Sequence, residues 1–258
     1  MPPVSISFRR HAHKTADGST LTKRGKTATS LCSQNIKEPT KIYASNIERT
    51  KLTADILKIC SRSEYTTRVR EILRGHKYFA GERIKTTKKD NFLTFFKEVA
   101  IKIGVSDDVL IKLWLNGHFP KKIMPKPEVL SDAIIKERFR LPLRVNKKID
   151  HTIVFENITH DVVIAALFQR LTGVKYHSQF MELPKELESL KVRIDQKGKA
   201  ILTFRNYKKD ITERLNKILN WSVMPLKQPP KPKNKREANR YRNKRNVSDL
   251  LKHKLVVD

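Results

Sequence analysis

The apolar positions follow two regimes along the chain. Between about residues 46 and 145 they recur every three to four residues, as in helices with one buried face. Ile56, Leu57 and Cys60 predict one short helix, and Val69, Ile72 and Leu73 a second that ends at Gly75. Phe92, Phe95, Phe96, Val99, Ala100 and Ile103 form the clearest stripe, over 90–104, with Gly104 free to take the left-handed conformation at its end. A new helix starts at Ser106, a good cap, with Asp107 and Asp108 in its first turn and Leu110, Leu113 and Trp114 on its buried side. Another begins near Pro127, with Val129, Leu130, Ala133 and Ile134 inward.

From about residue 148 strand patterns appear. Residues 152–158 read as a strand, 161–172 as a helix closed by Gly173, and 175–181 as a short strand. Residues 190–194 and 199–205 read as a hairpin around the turn 195–198, and 210–221 as an amphipathic helix. This β-α-β-β-α order predicts a small α+β domain. Residues 1–45 are rich in Ser, Thr, Lys and Arg without a sustained apolar period, and predict a disordered basic arm. Prolines between 227 and 233 predict an extended linker into a basic tail. The expected fold class is therefore α+β in four parts. They are an arm (1–45), a helical module (46–145), a β-α-β-β-α domain (146–224) and a tail (225–258).

Charge changes the picture most. The 258 residues include 55 Lys and Arg against 26 Asp and Glu, a formal net charge of +29. Such an excess is most simply neutralised by a polyanion, and nucleic acid is the commonest. The tail concentrates it in Lys233, Lys235, Arg236, Arg240, Arg242, Lys244 and Arg245, expected phosphate contacts with Tyr241 available for stacking. With hydrophobic residues at 38%, a wholly disordered chain is excluded. No apolar run reaches about 18 residues, so no membrane span is expected. Two cysteines, Cys32 and Cys60, exclude a disulfide-stapled scaffold and a cysteine-based zinc module, and no metal or cofactor is expected.

Two segments resemble known modules. Val99-Ala100, Gly104-Val105-Ser106, Leu110 and Trp114 to Gly117 resemble the helix-turn-helix of phage repressor and Cro-like proteins, over about 90–135. The resemblance implies that the helix from Ser106 enters the DNA major groove, with Ser106, Asp107, Val109 and Lys112 on the DNA and Lys121 and Lys122 on its backbone. A helical hairpin that only packs a core remains the alternative. Ile153 to Ile158 and Lys197 to Phe204 resemble the first and third strands of an RNA recognition motif domain, over about 150–222. That implies RNA contacts from Lys197, Lys199 and Arg205. A packing or dimerisation domain is the alternative.

Signs of catalysis are sparse. The eight histidines are scattered, with His11 and His13 in the expected arm and His151 and His160 flanking a strand. Phosphate-loop, zinc-protease and nucleophile-elbow signatures are absent. The sequence thus reads as a non-enzymatic, sequence-specific DNA-binding protein, a regulator or accessory factor of a bacterium, plasmid or phage. The alternative is an RNA-binding component of a ribonucleoprotein. Its expected partner is nucleic acid, with a homodimer suited to a palindromic site. Its expected place is the cytoplasm or nucleoid in a bacterium, and the nucleus or mitochondrion in a eukaryote.

Overall fold

The computed structural model describes residues 3–34, 36, 40–61, 63, 66–74, 101, 104–119, 126–144 and 152–220. The first element is a strand, β1 (Val4–Arg10). Val4, Ile6 and Phe8 alternate with Ser5, Ser7 and Arg9, so one side of β1 is apolar and the other polar. Helix α1 (Lys23–Ser33) follows, capped by Thr22, whose side chain accepts from the Gly25 N–H. Next come β2 (Thr40–Ala44), α2 (Glu48–Cys60), the two-residue strand β3 (Arg68–Val69) and a 3-10 turn, Glu71–Arg74. Helices α3 (Asp107–Leu115) and α4 (Pro127–Arg144) lead to β4 (Ile153–Thr159) and α5 (Asp161–Thr172). A helical turn α6 (Tyr176–Gln179), strands β5 (Ser189–Ile194), β6 (Ala200–Phe204) and β7 (Tyr207–Asp210), and α7 (Thr212–Leu219) complete the described elements.

The seven described strands form one sheet, in the order β3-β2-β4-β1-β5-β6-β7. The first four of that order run parallel, and β5, β6 and β7 add an antiparallel wing beside β1. One face carries the large core. Val4, Ile6, Phe8, Tyr43 and Phe155 from the sheet meet Leu110 and Trp114 of α3, Ile134 and Phe139 of α4, and Val163, Leu167 and Phe168 of α5. The other face, under α1 and α2, has a small apolar patch of Ile42, Ala44, Ala54, Leu57 and Ile158. Beside it Arg9 pairs with Glu156 and donates from Nη1 to the Cys32 sulfur at 3.1 Å. On the large-core face Arg138 of α4 is only 1% exposed. Its Nε donates to Asn157 Oδ1 at 2.8 Å, and its guanidinium lies 3.9 Å from the centre of the Tyr43 ring.

This architecture corrects the expected fold class. A helical module joined to a separate small β-α-β-β-α domain is not found, because β1 and β2 lie in the same sheet as β4. The 1–45 segment is not a disordered arm, since it supplies β1, α1 and the whole of β2. The RNA-recognition-motif resemblance fails on pairing. Its strands exist at Ile153–Thr159, Ser189–Ile194 and Ala200–Phe204, but β1 sits between β4 and β5. The segment 175–181 holds a helical turn instead of a strand, and Val69, Ile72 and Leu73 belong to β3 and the 3-10 turn instead of a helix. The predicted helix at 90–104 and the basic tail lie outside the described residues, apart from Ile101 and Gly104.

The helix-turn-helix resemblance also gives way. Ser106 does cap α3, accepting from the Val109 N–H at 3.4 Å. The helix is scaffold, however. Leu110 and Trp114 are buried in the large core, and Gln169 of α5 donates to the Leu115 carbonyl at 2.7 Å.

Phe168 is fully buried, with ring centres of Tyr207, Phe180, Tyr176 and Phe204 at 5.0, 5.1, 5.7 and 6.0 Å. Truncating it leaves a cavity where α5 meets the antiparallel wing. Phe168→Ala should cost about 3–5 kcal/mol, read as a lower urea midpoint, and Phe168→Leu should cost clearly less.

Candidate functional site

Adjacent parallel strands whose chains leave toward opposite faces open a crevice at their C-terminal ends. β1 and β4 are such a pair. The chain after β1 passes to α1, which packs with α2 on one face, while the chain after β4 enters α5 in the large core on the other. The residue following each strand is a histidine, His11 after β1 and His160 after β4. The register pairs Arg10 with Thr159, and the His11 N–H donates to the Thr159 carbonyl at 3.1 Å. The two imidazoles meet edge to face, with ring centres 5.3 Å apart. They are 4% and 2% exposed, which is little for titratable side chains at the end of a sheet.

The hydrogen bonds of His11 fix its tautomer. Its Nδ1 lies 2.8 Å from the Ala12 carbonyl, an acceptor only, so Nδ1 carries the proton. Nε2 then holds the lone pair and accepts from Arg49 Nε at 3.0 Å. Burial, against which the Ala12 hydrogen bond works, and next the charges of Arg49, Arg10 and Lys14, lower the His11 pKa from 6.5 to about 3. At neutral pH the ring is uncharged, with a directed, unprotonated nitrogen.

Arg49, Arg10 and the N-terminus of α5 gather positive potential at this end of the sheet. Arg49 sits in the first turn of α2, the end of a helix where a cation is electrostatically disfavoured. Its Nη1 donates to the Gly18 carbonyl at 2.8 Å, tying α2 to the β1–α1 loop. Arg10 bonds Asp161 at 3.0 Å and the Pro184 carbonyl at 2.6 Å, while its buried Nε finds no hydrogen-bond acceptor among the described residues. His160 occupies the N-cap of α5, where the helix presents positive potential. The combination suits a small anion.

The supporting layer is close-fitting. Thr53 of α2 accepts from the Ala12 N–H at 3.2 Å, which anchors the turn after His11. Gly25 of α1 abuts the His13 backbone, and a Cβ there would stand 2.3 Å from the His13 carbonyl oxygen. The 3-10 turn docks on β4 through Thr159 Oγ1, which donates to the Leu73 carbonyl at 2.6 Å, and this brings Glu71 to the same edge of the sheet. Among the described residues, no group of three or more His, Cys, Asp or Glu is placed to hold a metal ion.

Comparison of the sequence with protein-family models and with curated proteins finds no match. Comparison of the structure does find matches. A mycobacterial glucosyl-3-phosphoglycerate phosphatase solved with VO3 aligns over 78% of this chain and 98% of its own, at 14% identity and a TM-score of 0.54. A phosphoglycerate mutase from Bacillus anthracis aligns over 84% and 97%, at 19% identity and a TM-score of 0.52. An Entamoeba histolytica phosphoserine phosphatase, solved with 3-phosphoglyceric acid, aligns over 79% and 98%, at 16% identity and a TM-score of 0.52. The fold is that of phosphoglycerate mutases and histidine phosphatases. Neither a Cro-like helix-turn-helix nor an RNA recognition motif matches it.

These findings correct the functional reading. The expectation of a non-enzymatic DNA-binding regulator, and its RNA-binding alternative, gave weight to net charge and two local resemblances. The fold found and its buried histidine pair support neither. The nucleoid and nuclear placements depended on that reading and lose their support. No helix among the described residues is long and apolar enough to cross a membrane.

Those of the residues singled out from sequence that lie among the described residues do not converge on this crevice. Ser106, Val109 and Lys112 belong to α3, with Val109 and Lys112 exposed. Asp107 begins the same helix. Lys197 and Lys199 close the β5–β6 turn, their N–H groups donating to Asp195, and Lys199 pairs with Asp210. Arg205 forms a fork with Glu188, so its charge is taken up within the fold. Lys121, Lys122, Lys233, Lys235, Arg236, Arg240, Arg242, Lys244 and Arg245 lie outside the described residues. Missed were Arg10, His11, Arg49, Glu71 and His160. A usable signal existed, because Arg10-His11 and His160-Asp161 each follow directly on a strand-like run.

The depressed His11 pKa links the site to stability. Between its ordinary 6.5 and about 3, the unfolded chain binds a proton that the folded chain refuses. The contribution is complete above pH 6.5 and is lost as pH falls toward 3. His11→Ala should therefore flatten the fall in Tm between about pH 7 and about pH 4, measured by thermal unfolding in matched buffers.

Proposed function

We propose that the protein is a phosphoryl-transfer enzyme that hydrolyses small phosphomonoesters through a phosphohistidine on His11. The observation that carries this reading is the hydrogen-bonded tautomer of His11, a buried neutral ring whose Nε2 lone pair faces Arg49 and whose edge meets the ring of His160. The phosphatase and mutase activities named for the proteins of the same fold support it.

In this scheme the phosphoryl group docks between the guanidinium groups of Arg10 and Arg49, at the N-terminus of α5. Arg49 transfers its hydrogen bond from His11 Nε2 to a phosphate oxygen, which frees the lone pair. Nε2 attacks phosphorus, the P–O ester bond breaks, and the leaving alkoxide takes up a proton. Water then attacks the phosphohistidine, returning neutral His11 and inorganic phosphate. The equatorial charge is met by Arg10, Arg49 and His160.

Among the carboxylic acids near the crevice, only one able to hold a proton can serve as donor to the leaving group. Asp17 cannot, because hydrogen bonds from Ser19 and Thr15 lower its pKa to about 2. Asp161 is engaged by Arg10. Glu71, exposed on the 3-10 turn at the edge of the crevice, takes the role.

His11→Ala should abolish hydrolysis of p-nitrophenyl phosphate and the acid-labile labelling of the protein by a 32P-phosphomonoester. Label retained in His11→Ala would reject the assignment. Glu71→Gln should slow turnover of an alkyl phosphate by about 10²–10⁴-fold, and of p-nitrophenyl phosphate far less, because that leaving group scarcely needs protonation. Equal effects on both esters would remove Glu71 from the role.

A further inference from the structure

We infer that Thr50, acting through Ser45, is a positioning residue that fixes a proton on Nε2 of His160; the catalytic part of this inference rests on the phosphoryl-transfer reading above. Thr50 and Ser45 are fully buried, and His160 is nearly so. The three side chains lie in a row. Thr50 Oγ1 is 2.8 Å from Ser45 Oγ, which is 3.4 Å from His160 Nε2.

Counting protons gives the row a direction. The Thr50 hydroxyl has one proton and two carbonyl neighbours, Ile47 at 2.6 Å and Ser45 at 3.1 Å. Carbonyl oxygens only accept, so the proton of Thr50 points to them. Its oxygen is then an acceptor toward Ser45, and the single Ser45 proton is spent on it. Ser45 Oγ is left as an acceptor, facing the Ile47 N–H at 3.4 Å and His160 Nε2 at 3.4 Å. His160 Nε2 must carry a proton to complete the chain. The two histidines are thereby set in opposite senses, His11 with its lone pair on Nε2 and His160 with a proton there.

Function follows from the asymmetry. Two interchangeable imidazoles would let a proton settle on the attacking nitrogen. With its Nε2 proton held by Ser45, the His160 ring is fixed in one orientation and one hydrogen-bonding sense beside His11, where phosphoryl charge gathers. The helix that supplies Arg49 to His11 thus also supplies the group that orients its partner.

The test uses the full-length chain labelled with 15N-histidine. Thr50→Val removes the hydroxyl at constant shape and frees the Ser45 proton to turn toward His160. Two-bond 1H–15N spectra of the neutral rings should show the Nε2–H form of His160 in the wild type and in Thr50→Ser, and its loss in Thr50→Val. With p-nitrophenyl phosphate, Thr50→Val should lower kcat by about 10-fold or more with KM changed less than about twofold, and Thr50→Ser should restore it. An unchanged Nε2–H signature in Thr50→Val, or no rescue by Thr50→Ser, overturns the inference. Ser45→Ala is the second variant, and it should also lose the His160 preference. A wild type with the Nε2–H signature but no turnover would sink the phosphoryl-transfer reading and leave the proton assignment standing.

Discussion

Everything at the candidate site depends on the parallel pairing of β1 with β4. The pairing aligns Arg10 with Thr159 and so brings together two histidines that are 149 residues apart in the chain. A slip of one residue would exchange the faces of Ile6 and Ser7, sending the apolar set of β1 toward Glu156 and α2. The deep core on one side and the Arg9–Glu156 pair on the other leave one register available. Core packing and site geometry are therefore the same constraint seen at two ends of the strand.

Helix α2 turns that alignment into chemistry. Arg49, Thr50 and Thr53 lie within little more than one turn and address, in order, the His11 ring, the Ser45–His160 row and the Ala12 backbone. Its apolar contribution is small, chiefly Ala54 and Leu57. A helix held as much by polar contacts to a site as by apolar burial has its position defined by those contacts.

How far the sequence could be read depended on which signal dominated each segment. Helices α3, α4 and α5 and the β5–β6 hairpin were legible, since their stripes are long and Ser106, Pro127 and Gly173 mark their ends. Strand β1 was hidden in plain view. Val4, Ile6 and Phe8 alternate cleanly, but the stretch is short and sits in Ser- and Arg-rich surroundings that resemble a disordered arm. Losing β1 also lost the site, because His11 matters only once β1 lies beside β4. Real helices then supported a mistaken docking role. Leu110 and Trp114 serve a DNA-reading helix and a core-packing helix equally well, and only the sheet beneath them decides.

The position of β1 also bears on how the chain is made. Both neighbours of this strand, β4 and β5, lie far toward the C-terminus, beginning at Ile153 and Ser189. A chain leaving the ribosome N-terminus first presents the apolar row Val4, Ile6 and Phe8 before either neighbour has been synthesised. At about 5–20 residues per second, that row waits on the order of ten to forty seconds for its partners. During the wait it is an unpaired, sticky strand of the kind that chaperones cover. The interleaving that assembles the crevice in the finished protein thus makes its first strand wait for partners from the far half of the chain.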